Sequence, residues 1–551
     1  MTVNQTDSSS HFTPSIDAAL KMALQGQADA DKELGIRAQF SENPGRADQF
    51  SYQLEGLFFD FSKTHISEPL ISLYTSFADQ IRFDESRSEL FSGAKINSSE
   101  DRAVLHALLR DPSNQGVATL DPSLLEEAAD AKNQFISKHQ EINAQLESRV
   151  IPVKDIIHVG IGGSSLGTQL VFEALKNVSE TRRIHFVGNI DGHQLSSILA
   201  QCDVASTLVI GVSKTFSTSE TLQNIRTIGQ WFSQNGIDDY LESVYAVTAT
   251  VDNAAQFGIP LANTIVFPQW VGGRYSVWSA VSLSAALILG QDKFSQFLDG
   301  ATAIDQHFYT SSAGENVCFI AAMMDHYYTN FYVASNRAIF AYDYRLRSLV
   351  DYLQQLETES NGKNRQRNGS KVDQFTSPIV WGGVGTDVQH SVFQLLHQGT
   401  WLIPSEFLLV AKPEHDLTAH HSELLANGIA QTAALLAGQS LQKVREVHAN
   451  ENLSEPAAYA KIFDGDRPST TILIDYLDPR SLGSLLAFYE HRTYCNGLFC
   501  NINSFDQMGV ELGKRLAKRL LPRLQGDQEL EDLDGNMDFD QSTLNLVKRL
   551  K

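Results

Sequence analysis

Four cysteines among 551 residues, Cys202, Cys318, Cys495 and Cys500, are too few and too scattered for a disulfide framework, and no CxxC spacing offers a zinc clip. A reducing compartment such as the cytosol suits that usage. No apolar run reaches the ~18 residues that a membrane span needs. The opening MTVNQTDSSSHFTPS lacks the basic and apolar regions of a secretory signal. Basic residues are scarce too: 43 Lys and Arg stand against 65 Asp and Glu, a net charge of −22. Nucleic acid and anionic lipid are therefore poor partners for the surface as a whole. An anionic substrate would need a local cluster of Lys and Arg to override that field.

What is present is an ordinary globular composition, 42% hydrophobic and 20% charged, in a chain long enough for two or more packed lobes. Residues 1–150 read as mostly helical; 128–138, free of Gly and Pro, is an example. From Ile156 the pattern changes. Short apolar runs (IIHVGIGG, RIHFVGN, STLVIGV, YAVTA) alternate with helical segments such as LGTQLVFEALKNV. That alternation predicts an α/β domain with a parallel sheet. A second cycle follows, with SPIVWGG, the helix VQHSVFQLLHQG, FLLVAK and TTILIDYL. HVGIGGSS and VWGGVGTD look alike, which suggests a duplication of two α/β lobes. The acidic stretch from Gly526 reads as a surface arm.

Several segments combine chemistry-bearing residues. VGIGGSSLGTQ (159–169) is a strand, a glycine turn and a helix start, and such a turn offers backbone N–H groups to an anion. It fails the dinucleotide fingerprint, with Ser165 in place of the third glycine, and fails the P-loop, with Thr168 in place of lysine. A tight turn without a ligand fits it equally well. VSKTFSTSET gathers Ser213, Lys214, Thr215, Ser217 and Thr218 ahead of a helix, a set that suits a phosphate dianion. A capping box of Ser217 and Glu220 is the plainer alternative, but it leaves the other residues unexplained.

Arg274 follows Gly272 and Gly273 in WVGGRYSVWSA, where glycines permit close backbone approach and the guanidinium offers a fixed fork of donors. An arginine on a surface turn is the alternative. His390 is placed in the first turn of a helix, sharing a face with Gln394 and His397. Taken alone it reads better as a satisfied buried histidine than as an acid or base. EHDLTAHH (414–421) reads as a polar loop, not a metal site. NSFDQMGVELGKRLAKRLL (503–521) predicts a helix ending at Pro522, with Gln507, Glu511 and Lys514 on one face. Glu511 and Lys514 can be simply an exposed ion pair.

QQLETESNGK (354–363) carries two glutamates. Leu346, Leu349, Val350, Leu353 and Leu356 form an apolar helical stripe, and continuing it pairs Glu359 with Gln355 on the polar side. Glu357 falls back toward the stripe and keeps the plain reading of a charge near a helix end. Asn361-Gly362 is a stop signal.

Together GGRYSVWSA, ESNGK and FDQMGVELGK, with NPGRADQFS (43–51) and INSSEDRAVLHALLR (96–110), resemble the glucose-6-phosphate isomerase (phosphoglucose isomerase) family over nearly the whole chain. The resemblance implies two sugar-isomerase-type (SIS-like) α/β lobes with parallel-rich sheets flanked by helices. A larger lobe would comprise 1–115 and 296–515, a smaller lobe 116–295, and a C-terminal helical arm 516–551. It implies interconversion of glucose 6-phosphate and fructose 6-phosphate through an enediolate, in a homodimer whose histidine crosses the interface. Glu359 would then be the base, His390 with Lys514 the ring-opening pair, and Arg274 the partner of the enediolate. Ser213, Lys214, Thr215 and Thr218 would bind the phosphate beside Gly163, Ser164 and Gly273, with Gln355 and Gln507 lining the site. Such chemistry needs no nicotinamide and no metal. The chain departs from the family pattern at Ser165, Thr168, Ser282, Leu356, Thr358, Val388 and Met508, none of them a residue with a catalytic role.

Overall fold

A computed structural model describes residues 16–113, 120–177, 179–526 and 539–550. Residues Met1–Ser504 form one compact unit and Phe505–Lys551 a second. The first unit contains two sheets. Its strands are β1 (Ser51–Leu54), β2 (Leu57–Asp60), β3 (Asp155–Val159), β4 (Arg183–Val187), β5 (Thr207–Val212), β6 (Val244–Thr248), β7 (Thr264–Val266), β8 (Asn336–Tyr342), β9 (Ile379–Val384), β10 (Ser405–Lys412) and β11 (Ser469–Tyr476).

The five-stranded sheet is wholly parallel and runs β4-β3-β5-β6-β7. Its central strands, DIIHV and TLVIGV, are buried at every position, as strands covered on both faces must be. Ile157, Val159, Val209, Ile225, Ile228 and Phe232 are core to it, and each fully buried aliphatic contributes about 1.5–3 kcal/mol. The chain leaves β3 to one side for β4, then returns across it to β5. The strand order therefore reverses between β3 and β5. In an open α/β sheet the crevice beyond the C-terminal ends of the two strands at such a reversal is where ligands sit. The loops after β3 and β5 are the two segments singled out for anion binding.

The six-stranded sheet runs β1-β2-β11-β10-β8-β9, with β8 to β11 parallel. Its parallel part repeats the winding of the first sheet: β9-β8-β10-β11 has the order of β4-β3-β5-β6. The duplication is thus one of topology. The sequence match that suggested it joins β3, an inner strand, to β9, an edge strand, and so pairs positions that are not equivalent.

The described residues of 1–150 are mostly helical, as expected, and β1 and β2 add to them a hairpin that extends the second sheet antiparallel to β11. Its turn, Glu55-Gly56, has φ of 50° and 76°, the left-handed pair a two-residue hairpin loop demands. Strand β8, NRAIFAY, was not foreseen, although its last six residues are buried and it lies inside the sheet, between β10 and β9.

In the second unit the helix begins at Glu511, behind a 3-10 turn at Met508–Val510, and runs through Pro522 to Gln525. The helix expected over 503–521 is therefore shorter at its start and does not end at the proline. Phe539 and Leu544 pack with Leu516 and Leu520 in that unit. Among the described residues no helix is long and apolar enough to cross a membrane.

Candidate active site

The glycine turn after β3 is a 3-10 turn at Gly162–Ser164, and Gly162 has a φ of 59°. A Cβ on Gly163 would stand 2.2 Å from the carbonyl carbon of Gly273, and one on Gly162 would meet Gln355 Nε2 at 2.9 Å. These glycines are there because two other segments lie directly against them. The Ser276 hydroxyl donates to Gly163 O at 3.2 Å and ties the same contact. Beneath the turn, fully buried His158 touches Ser164 O with Nε2 at 2.7 Å and Ser284 Oγ with Nδ1 at 2.8 Å. One neutral tautomer satisfies both: Nε2–H donates to the carbonyl and Nδ1 accepts from the hydroxyl. Burial holds its pKa down at about 4.

The stripe Leu346, Leu349, Val350, Leu353 and Leu356 is buried, as its spacing predicted. The helix Leu349–Gln354 then widens into a π turn at Gln355–Glu359, a rare feature found often at functional sites. Glu359 sits on its open face. Gln355 Nε2 donates to Glu359 Oε2 at 2.9 Å, and Arg274 Nη1 faces Glu359 Oε1 at 3.6 Å. Arg274 is 1% exposed and Glu359 19%.

Two further donors of this guanidinium go to neutral acceptors: Nε donates to Ser360 Oγ at 2.7 Å and Nη2 to Ser504 O at 2.7 Å. Ser360 Oγ also meets the Tyr275 hydroxyl at 2.9 Å. Arg274 is therefore no surface arginine. Ser360, Tyr275 and Ser504 were missed as its supports. Ser360 lay inside a recognised motif, but its contact spans 86 positions and carries no local sequence signal.

Glu357 points the other way and is not a solvated charge at a helix end. It is 2% exposed and pairs with Arg337. The helix stops after Asn361, as Asn-Gly implied, and Lys363 Nζ donates to the carbonyls of Ser360 at 2.6 Å and Glu359 at 3.2 Å.

The loop after β5 holds Ser213, Lys214, Thr215 and Thr218. The helix Ser219–Gln234 follows with Thr218 at its N-cap and no side-chain capping bond. Thr218 Oγ1 instead meets Ser213 Oγ at 3.0 Å, and the Ser217 hydroxyl donates to Thr215 Oγ1 at 2.8 Å. The capping box of Ser217 and Glu220 is not formed. The helix start thus follows a loop that carries four hydroxyl groups and one lysine. Burial first, then nearby Arg102, lowers the Lys214 pKa to about 8, against the pull of Glu100.

His390 ends a 3-10 turn, Asp387–His390, ahead of the helix Phe393–Gln398. It is exposed, which corrects both the helical placement and the buried reading. Gln507 and Lys514 belong to the second unit, where Lys514 Nζ meets Glu511 Oε1 at 3.0 Å with both side chains 59% exposed. EHDLTAHH is a loop only as far as Leu417, because Thr418 opens the helix Thr418–Ala437. Among the described residues one group of metal-ligating atoms lies together, Asp155, His185 and Cys202. Arg183 already takes both oxygens of that carboxylate, at 2.8 and 3.0 Å.

The first unit therefore joins a buried guanidinium to a partly exposed carboxylate beside a glycine turn, with a hydroxyl-rich, lysine-bearing loop after the adjacent strand β5. That is the equipment to hold an anion and move a proton next to it. Residues 60–547 match the family model described as phosphoglucose isomerase. The glucose-6-phosphate isomerase of Rhizorhabdus wittichii is 42% identical over 512 residues, covering 93% of this chain and 95% of that protein. That of Erythrobacter litoralis is 41% identical over 548 residues, covering 98% and 99%. The crystal structure of a glucose-6-phosphate isomerase from Chlamydia trachomatis superposes with a TM-score of 0.83 at 28% identity, covering 98% and 100% of the two chains. By fold and by sequence, the chain belongs to the phosphoglucose isomerase family.

Proposed function

We propose that this chain interconverts D-glucose 6-phosphate and D-fructose 6-phosphate, the reaction for which its bacterial relatives are named. The observation that carries the reading is the Arg274–Glu359 pair at 3.6 Å. In the open-chain sugar Glu359 takes the C2 proton and the electron pair moves to the carbonyl oxygen, making an enediolate. The carboxyl is then neutral, and Arg274 turns its charge to the new oxyanion. A preorganised donor of this kind is commonly worth about 3–4 kcal/mol. Glu359 then delivers the proton to C1 as the O2 hydrogen passes to O1, leaving the carbonyl at C2, so atoms and charge balance with no external oxidant. Gln355 keeps the carboxylate aimed.

Ser213, Lys214, Thr215 and Thr218 hold the phosphate, with Gly163, Ser164 and Gly273 shaping the approach. Lys214 and Arg274 supply the local positive field that a chain of net charge −22 otherwise lacks. Ring opening is assigned to His390 and Lys514, with Gln507 lining the site, on the family resemblance. The exposure of His390 suits a histidine offered to a second copy of the chain, and we take the working form to be a cytoplasmic homodimer. Lobes of 1–115 with 296–515 and of 116–295 carry one sheet each, with 516–551 as the arm.

A coupled assay with fructose 6-phosphate tests the reading. The purified chain turns the sugar over and Glu359→Gln loses most of that turnover. Binding of the sugar phosphate by the wild type without any turnover would replace the enzyme with a sensor.

A further inference from the structure

The π turn that presents Glu359 on one face sends Glu357 into the interior from the other. Glu357 meets Arg337 on β8. Arg337 Nη1 donates to Asp325 Oδ2 at 2.7 Å. Arg492 grips the same aspartate with Nε and Nη2, both at 2.7 Å, and donates through Nη1 to Glu406 Oε2 at 2.6 Å. Asn496 Nδ2 adds a bond to Asp325 at 2.9 Å, and the Tyr489 hydroxyl donates to Glu406.

All five charged residues are buried, with exposures from 2% to 6%. They come from five places in the chain: the helices Val317–Phe331 and Pro479–Phe499, strands β8 and β10, and the π turn. None of the five touches Arg274, Ser360 or the phosphate loop in any contact described above, so the proton-transfer scheme leaves them unused.

Buried charge is not retained for stability alone, because well-packed apolar residues of similar volume commonly serve a core as well or better. What such a network does provide is fixed geometry: a carboxylate in a guanidinium fork has few places to go. Of the five, Glu357 alone stands on a segment that also carries a residue of the reaction. A change from π to α winding in this turn would rotate every side chain on it.

We propose that Glu357 is a positioning residue for the isomerisation: clamped by Arg337 inside this buried network, it locks the π turn in the register that aims Glu359 at Arg274. This rests on the reading of Glu359 as the base, and the test separates the two. Burial raises the Glu357 pKa, Arg337 and Arg492 oppose it, and the cluster holds three carboxylates against two guanidiniums. The anchor is therefore the single Arg337 Nη2 contact on Glu357, with Arg337 itself held through Nη1 to an Asp325 that Arg492 grips with two donors, and not an excess of favourable charge.

The test is a double-mutant cycle on the full chain with fructose 6-phosphate, using Glu357→Gln, Glu359→Gln and both together, each normalised to folded protein by circular dichroism. Glu357→Gln is expected to lower kcat about 10- to 100-fold, the usual effect of sub-ångström misplacement of a reacting group, with KM nearly unchanged. In the Glu359→Gln background it is expected to change the residual kcat by less than about two-fold, because the residue it acts through is already gone. Glu357→Asp, which keeps the charge, is expected to recover part of the lost kcat. Should Glu357→Gln fold poorly, Arg337→Met with Glu357→Met removes the clamp without leaving a buried charge on either residue, and the same fall in kcat is expected. A folded Glu357→Gln with wild-type kcat overturns the proposal, as does an equal loss in both backgrounds or a loss confined to KM. Wild-type turnover by Glu359→Gln overturns the identity of the base, and this proposal with it.

Discussion

Arg274 and Glu359 face each other at 3.6 Å, the arginine buried and the glutamate open to the cleft. Two other donors of the guanidinium go to a serine hydroxyl and a backbone carbonyl. When the Glu359 carboxylate takes a proton, the arginine is left beside whatever negative charge has formed. Arg274→Met should therefore lower kcat about 100- to 1,000-fold. Arg274→Lys should recover little, because a point charge cannot hold Ser360, Ser504 O and the oxyanion together. Steady-state kinetics decide it: a lysine variant with near wild-type kcat would show that charge alone suffices.

Gly163 is the site's closest backbone approach, and a methyl group there would stand 2.2 Å from Gly273. Backbone on both sides leaves nothing flexible to yield. Gly163→Ala should push the loop after β3 away from Arg274, destabilise the fold by about 1–3 kcal/mol, and raise KM together with a fall in kcat. Thermal melts and kinetics of the one variant read both effects. Unchanged values would mean that the two loops separate freely in solution.

Lys214 gives a pH dependence of definite sign. Burial lowers its pKa to about 8 against an ordinary 10.5, so the fold disfavours the ammonium, and a bound anion would restore it. Stability from this group rises with pH across that window, since the unfolded chain binds the proton more tightly. Binding runs the other way: a phosphate ester is a dianion above about pH 6 and needs the ammonium. The KM for fructose 6-phosphate should rise as pH climbs through about 8, and Lys214→Arg should flatten that rise. A wild-type KM that is level through this range contradicts the placement of phosphate at Lys214.

His158 contributes at the acid end. Held neutral with a pKa of about 4 against an ordinary 6.5, it binds fewer protons folded than unfolded between those values. Its stabilisation is therefore complete above about pH 6.5 and lost as pH falls toward 4, up to about 3 kcal/mol in all. Urea titrations of wild type and His158→Asn at pH 7 and pH 5 measure it. The variant should be less stable at pH 7 and should lose less on acidification.

Much of this was legible in the sequence, for reasons that differ by element. DIIHV and TLVIGV announced themselves because both faces are buried and the runs are continuous. NRAIFAY did not, because Asn336 and Arg337 open it with polar residues, and Arg337 is there to serve the buried network and not the surface. The hairpin Ser51–Asp60 was hidden by four-residue strands and an Glu-Gly turn without the usual Asn or Asp. Periodicity separated Glu359 from Glu357 correctly in direction. It could not show where Glu357 ends, because Arg337, 20 positions upstream, receives it. His390 was misjudged for the same kind of reason: nothing local distinguishes a histidine exposed on a 3-10 turn from one buried on a helix.

The central claim is that Glu359 carries the proton between C2 and C1. The most direct measurement is proton NMR of fructose 6-phosphate and glucose 6-phosphate incubated with the chain in D2O, following deuterium entry at C1 and C2. Wild type should wash deuterium into those positions as it isomerises. Glu359→Gln should slow both exchange and isomerisation by about 100- to 10,000-fold while still binding the sugar phosphate. Exchange at the wild-type rate in Glu359→Gln would contradict the account.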